Sequence, residues 1–208
     1  MAVVLLHPCY FGPISQFVAL ENAEALLFEN EDNYQKQTYR NRMYIYGANG
    51  KLSLNIPIKH TGDKSQHQKY KEVRIENEFN WQKQHWKSLQ TAYRTSPFFE
   101  FYEDEFQPLY QKNHKFLLDF NYECFNLLSD CLQLDLKPER TAEYILDPPG
   151  PILDRRALVN AKKGGDFRLE NYSQVFAPKY GFIEDLCILD LLFNEGPASQ
   201  AYLQRQRL

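Results

Sequence analysis

VVLLHPCYFGPISQFVALENAEALLF, residues 3–28, decides the fold class. Val3 to Leu6 is an all-apolar run with β-branched residues, the pattern of a strand buried on both faces. It stops at His7-Pro8-Cys9-Tyr10-Phe11-Gly12-Pro13, where the prolines and the glycine favour a tight loop. Pro13 is suited to open a helix, and Ile14, Phe17 and Val18 follow helical spacing. Ala25 to Phe28 is a second apolar strand. Strand, loop, helix, strand is the βαβ plan, whose crossover makes the two strands parallel neighbours. Ligands of such sheets gather outside the carboxyl ends of the strands, so His7 to Gly12 and Glu29 to Lys36 are expected at one rim. His7 follows the first strand directly, and imidazole is the usual general acid or base near neutral pH. Glu29, Glu31 and Asp32 form an acidic run that would orient a base, bind a cation, or simply be solvated.

Outward from this unit, residues 30–59 read NEDNYQKQTYRNRMYIYGANGKLSLNIPIK. Asn49-Gly50 between alternating apolar and polar residues predicts a β-hairpin with a two-residue type I′ turn. That register sets Ile45 opposite Leu54 and Met43 opposite Ile56 on an apolar face, with Tyr46 opposite Ser53 and Tyr44 opposite Asn55 on the other. Arg40, Arg42, Tyr44 and Tyr46 then form a cationic, aromatic surface that suits an anionic small ligand. A solvated or interdomain face would have the same composition.

Beyond the hairpin, His60 to Lys69 is polar, and reads either as a lid or as a plain surface loop. Glu72 to Glu76 alternates as an edge strand would. From Asn80 the period becomes helical. One helix carries Trp81, His85, Leu89 and Ala92; a second spans Phe98 to Phe106; a long third runs over Leu109 to Leu132. Lys137 to Ile145 is expected to be a strand, and the glycines in Lys162-Lys163-Gly164-Gly165 a turn. Ile183 to Glu195 is a nearly apolar helix stopped by Gly196 and Pro197. Asp190 inside it needs a partner, and Arg40 or Arg42 is the candidate. The expected architecture is α/β: an N-terminal βαβ parallel unit with an added β-hairpin in a mixed sheet, then a helical lobe at 80–132, all in a single domain over 1–208.

The 208 residues carry 24 basic and 27 acidic side chains, so the charge balance gives no footprint for nucleic acid. The four cysteines form neither a Cys-x-x-Cys pair nor a zinc-ligand spacing, which implies free thiols in a reducing, cytoplasmic setting and no metal site. A metal-dependent hydrolase built on His7 with Asp32 or His85 lacks ligand spacing for the same reason. No segment has the length of a membrane span or the pattern of a signal peptide. No cofactor motif is present, and the cofactor is left unassigned.

HPCYFGPISQF, NEDNYQKQTYRNR, LSLNIPIKH, WQKQHWKSLQTAYRTSPFFEFY and CILDLLFNEG, in this order and spacing, resemble the WbqC-like family of bacterial proteins over most of the chain. His7, Pro8, Tyr10, Tyr34, Lys36, Asn41, Arg42, Pro57, Trp81, His85, Tyr93, Pro97, Asp190 and Asn194 fall at the family's marked positions. The loop Cys9 to Pro13 departs from its pattern. The resemblance implies a transferase-like protein associated with surface-polysaccharide and O-antigen assembly. His7 and Asp32 are then the expected catalytic residues. Tyr10, Tyr34, Lys36, Arg40, Asn41, Arg42, Tyr44, His85, Asp190 and Asn194 are expected to bind an anionic small-molecule substrate such as an activated sugar. The rival reading is a non-catalytic scaffold for other glycan-assembly proteins. The N-terminal unit is also similar to nucleotidyltransferases that set two histidines on nucleotide phosphates, but Ser15 and Gln16 stand where the second histidine belongs.

Overall fold

The computed structural model describes residues 2–21, 23–59, 67–134, 136–162, 165 and 167–208. Its first strand, β1 (Ala2–Leu6), runs into α1 (Ile14–Glu21) and then β2 (Ala23–Phe28), parallel to β1 with Leu6 opposite Phe28. Val4, Leu5 and Leu6 are all buried, as expected of a strand covered on both faces. Two three-residue strands widen the sheet. β5 (Pro138–Arg140) pairs in parallel with β2, and β6 (Ile152–Asp154) pairs in parallel with β1. The order across the sheet is β5-β2-β1-β6. From β1 the chain steps outward through β2 to β5, then returns to the other side of β1.

The hairpin, β3 (Arg42–Gly47) and β4 (Gly50–Asn55), forms its own two-stranded sheet rather than a further part of the parallel one. Its register differs by two residues from the expected one: Ile45 faces Leu52, Met43 faces Leu54 and Tyr44 faces Ser53. The loop residues are Ala48 and Asn49, and Gly50 alone takes a positive φ, +97°. Gly50 thus supplies the left-handed residue that follows the turn, so neither Ala48 nor Asn49 needs one. Because the shift is even, each side chain keeps its face. Met43, Ile45, Leu54 and Ile56 are buried as predicted.

The helical lobe contains α2 (Trp81–Tyr93), α3 (Phe99–Phe106) and α4 (Leu117–Leu132). The long third helix of the sequence reading is broken: Gln107–Tyr110 is a 3-10 turn and α4 starts at Leu117. Residues 73–75 explain the break, because Ile75 N–H donates to the Lys115 carbonyl and Leu117 N–H to that of Val73. The same contacts are what became of the expected Glu72–Glu76 strand, which makes only single bridges, Ile58 to Ile75 and Arg74 to Phe116. The strand expected over Lys137–Ile145 is limited to β5.

At the C-terminal end, α5 (Ala177–Tyr180) is followed by α6 (Ile188–Glu195) and α7 (Ser199–Arg205). α6 starts later than expected because residues 186–188 are engaged with the loop before α1: Ile14 N–H donates to Leu186 O and Ile188 N–H to Gly12 O. It ends where predicted, at Gly196 with φ +52°. Among the described residues no helix is long and apolar enough to cross a membrane. The segment from His60, read as a lid or a plain surface loop, and the turn at Gly164 fall largely outside the described residues.

Candidate functional site

Since the four strands are parallel, their carboxyl ends open on one rim. His7 follows β1, Glu29 β2, Thr141 β5 and Arg155 β6. The chain order reverses between β1 and β6, the place where open parallel sheets form a ligand crevice. A cleft of about 750 Å³ lies there, within the size range of small-molecule sites. His7 and Asp32 line it on one side, and the segment from Arg156 to Lys162 on another.

At the base of this cleft His7, Asp32 and Arg40 form one buried cluster. Arg40 has no exposed surface, and His7 and Asp32 retain 4% and 8% of theirs. Arg40 Nη2 donates to Asp32 Oδ2 at 2.5 Å and to His7 Nε2 at 2.9 Å, and Nη1 donates to the Asn33 carbonyl at 2.9 Å. Guanidinium has no acceptor, so Nε2 must carry the lone pair and Nδ1 the proton. Burial, and then the charge of Arg40, hold the imidazole well below the ordinary histidine range, and the Glu29 backbone carbonyl opposes this only in part. His7 is therefore neutral at physiological pH, with Asp32 Oδ2 3.4 Å from its Nε2.

The cluster is fastened from the helical lobe. The Arg40 guanidinium lies 5.0 Å from the Tyr70 ring centroid, and Tyr70 Oη donates to the Pro8 carbonyl at 2.8 Å. Asn121 on α4 donates to the Arg40 carbonyl at 2.7 Å and to Tyr70 Oη at 2.5 Å. Side chains from α4 and the 3-10 turn at Tyr70 thus hold the backbone on either side of the cluster.

A second buried carboxylate lies beside the cluster, where the Glu29 N–H donates to the Leu6 carbonyl at 2.9 Å. Glu29 is wholly buried; it accepts the Thr141 hydroxyl at 2.8 Å and the Ile145 N–H at 3.2 Å, with Arg156 Nη1 at 3.4 Å. Arg156 also forks onto Asp154 and donates to the Ile145 carbonyl at 2.6 Å. Its hydrogen bonds keep the Asp154 carboxyl below its usual range. Since these donors are all committed, Arg156 builds the wall, and among the described residues lining the cleft the exposed Lys51 and Lys162 are the cations left to meet a ligand.

Asp185 faces the same cleft from the segment before α6. Its carboxylate accepts the Ser15 N–H at 2.8 Å and the Ser15 hydroxyl at 3.0 Å. Burial pushes its pKa up to about 6 in spite of those bonds.

The remaining expected site residues are spread more widely. Tyr34 lies near Arg40, 6.4 Å ring to ring from Tyr70, and Lys36 is exposed. Arg42 donates to Tyr44 Oη at 3.4 Å; the Tyr44 ring meets Tyr39 at 5.9 Å and Lys51 Nζ at 4.2 Å, so this face backs onto the cleft wall. Asn41 ties the hairpin by donating to the Ile56 carbonyl at 2.9 Å. Tyr10 and His85 sit together in the aromatic core, with Tyr10 Oη 2.9 Å from His85 Nδ1 and 2.8 Å from Tyr110 Oη. Burial lowers His85 to about 4. Asp190 is not paired with either hairpin arginine. Tyr93 and Tyr172 donate their hydroxyls to it at 2.7 and 2.5 Å and Gln174 its amide at 3.0 Å, while Arg40 is taken by Asp32. Asn194 donates to the Asp190 carbonyl at 2.7 Å, one turn back along α6.

Ser15, Tyr39, Arg156 and Asp185 were not among the expected site residues. Asp185 falls in the first turn of the expected helix Ile183 to Glu195, and neither it nor Arg156 carries a local motif.

Residues 7–164 match the model of the WbqC-like protein family. The chain belongs to this family. The match begins at the cluster histidine and extends through the wall at Arg156–Lys162, leaving Asp185 outside it. An uncharacterised protein of Mycobacterium tuberculosis is 25% identical over 235 residues, covering 97% of both chains. No solved structure matches.

Proposed function

We propose that this WbqC-like protein is a transferase acting on an activated sugar or related anionic metabolite in surface-polysaccharide biosynthesis. The observation that carries the reading is the buried His7–Asp32–Arg40 cluster opening into a cleft at the switch point of the parallel sheet. Three ionisable side chains held out of water at a cleft are an expensive arrangement that packing alone does not require. His7 is the proton acceptor in this reading. A hydroxyl of the acceptor substrate that replaces the Arg40 hydrogen bond at Nε2 meets a neutral imidazole, with Asp32 beside it to stabilise the imidazolium that forms. Burial, with Arg40, keeps the ring unprotonated until then. Lys51 and Lys162 bind the anionic part of the donor, and Tyr39 offers an apolar wall.

A thermal-shift screen against nucleotide sugars, nucleotides, acyl-coenzyme A species and amino acids tests the proposal. A ligand at about 100 times its Kd stabilises the folded state by ~2.7 kcal/mol, which raises the melting temperature by about 5–10 °C for a chain of this size. The expected result is a shift with an activated sugar that His7→Gln leaves largely intact, with loss of turnover in that variant. Turnover retained by His7→Gln removes the catalytic assignment. Absence of any ligand favours the second reading, a scaffold for glycan-assembly proteins. Its supporting observation is the exposure of Phe79, Phe101 and Leu146, at 64%, 75% and 71%.

A further inference from the structure

Asp185 is held in an unusual way for a residue that only caps a helix. Its φ is +51°, in the left-handed region that few non-glycine residues other than Asn and Asp adopt. Its carboxylate is fixed at both oxygens by Ser15, at the start of α1, and it lines the same cleft as His7 and Asp32. The charged groups around it are Glu184, which raises its pKa, and Lys51, which lowers it; Tyr39 and Tyr202 are the nearby phenols. An ordinary capping carboxylate is solvated, ionised and stabilising at a helix start. Here burial outweighs the Ser15 bonds, so the Asp185 carboxyl is harder to ionise in the folded protein than in water and keeps its proton up to about pH 6. A strained backbone together with an unfavourable charge is what a cleft accumulates where a carboxyl must exchange a proton.

We infer that Asp185 is the proton-donating carboxyl of the cleft, complementary to the proton-accepting His7–Asp32 pair. The inference rests on the transferase reading above. In the transfer step, the acceptor hydroxyl gives its proton to His7 and its oxygen bonds to the electrophilic carbon of the donor. The bond from that carbon to the leaving oxygen breaks, its electron pair stays on that oxygen, and the Asp185 carboxyl supplies the proton that neutralises it. Deprotonated Asp185 and protonated His7 then return to their starting states through solvent. Ser15 is the positioning residue, because it fixes the orientation of both carboxyl oxygens.

The test is Asp185→Asn, which keeps the shape and an acceptor for Ser15 but cannot exchange a proton. Above pH 7 wild type folds with an ionised, half-buried carboxylate; at pH 4 the folded group is protonated and the unfolded one, close to its ordinary 3.8, is only partly ionised, so most of the penalty is gone. Asn is therefore expected to raise the melting temperature more at pH 8 than at pH 4, by about 3–6 °C after allowance for partial solvent screening. With a uridine diphosphate sugar as the activated-sugar probe, release of uridine diphosphate is expected to fall at least tenfold while the thermal shift given by the probe is retained. A variant whose stability relative to wild type is the same at both pH values, or lower at pH 8, or which does not fold, overturns the inference and leaves Asp185 a helix cap. Undiminished release by the variant also overturns it. A failure of the transferase reading is distinguishable from either: the sugar nucleotide gives no shift with wild type, while the pH-dependent stability difference remains.

Discussion

Replacing Arg40 by Met removes the one cation of the buried cluster while keeping an unbranched side chain to fill the space against Tyr70. Asp32, only 8% exposed, then loses its 2.5 Å partner, and the Asn33 carbonyl and His7 Nε2 each lose a donor. Removing one member of a buried ion pair costs about 3–5 kcal/mol, because the remaining charge is left without compensation. Each orphaned acceptor adds up to about 1 kcal/mol where water cannot reach it. A loss of about 4 kcal/mol is expected, which corresponds to a fall in melting temperature of about 8–16 °C for a chain of this length. Urea titration gives the same quantity as a shift in midpoint at unchanged slope. The double variant Asp32→Asn/Arg40→Met separates charge from packing, since neutralising Asp32 removes the orphaned anion and should recover part of the loss. A single-variant loss below about 1 kcal/mol, or an equal loss in the Asp32→Asn background, would refute the argument that charge pairing holds the cluster.

Three further outcomes follow from particular contacts. Nitrogen NMR of His7 should report a neutral ring with its proton on Nδ1 down to well below pH 6.5; because the unfolded chain takes up a proton at the ordinary value and the folded one does not, wild type should lose stability as pH falls from 6.5 towards the depressed value, and His7→Gln should lose less. Tyr93→Phe deprives Asp190 of a 2.7 Å donor and the Tyr46 N–H of its 3.2 Å acceptor, at a cost of about 1–3 kcal/mol in urea titration, whereas a purely apolar role for the ring predicts almost no change. Gly50→Ala should cost about 1–2 kcal/mol by the same assay, from backbone strain alone, since no atom lies within 4 Å of the added Cβ and φ is +97°.

What the sequence made legible was what has a short period. Two apolar runs flanking a helix specify the βαβ unit, and strict alternation specifies which side of the hairpin is buried even though its register shifts by two. The unread parts depend on distant partners. β6 is three residues whose only reason to be a strand is the free edge of β1, which sequence does not display. The break at residues 111–116 is imposed by backbone groups of residues 73–75, some forty positions away. Glu29 offered the same composition as a solvated acidic run and is wholly buried, because Thr141 and Arg156 reach it from the ends of two other strands.

The same reasoning explains why the sequence names His7, Asp32 and Arg40 but not the wall residues that complete the candidate cleft. β2 and β5 are adjacent parallel strands, yet residues 29–137 separate them and carry the hairpin and α2–α4. Asp32, Tyr39, Arg40 and Lys51 of the cleft and its cluster all come from that insertion, whereas His7, Ser15 and Arg156 come from the sheet and its first helix. Neither part contains a site alone. The Tyr39 N–H donates to the Val159 carbonyl at 2.8 Å and the Tyr10 N–H to the Tyr39 carbonyl at 3.0 Å, so the insertion is stitched to both rim loops at the cleft. Asn121 carries this further, bonding the Arg40 carbonyl from a helix otherwise concerned with core packing. The helical lobe is thereby a structural condition for the His7–Asp32–Arg40 geometry. Asn121→Ala is accordingly expected to perturb the NMR signals of His7, through Arg40 and Tyr70, although it touches neither the imidazole nor the cleft; unchanged His7 signals in a folded variant would show that the lobe and the cluster are independent.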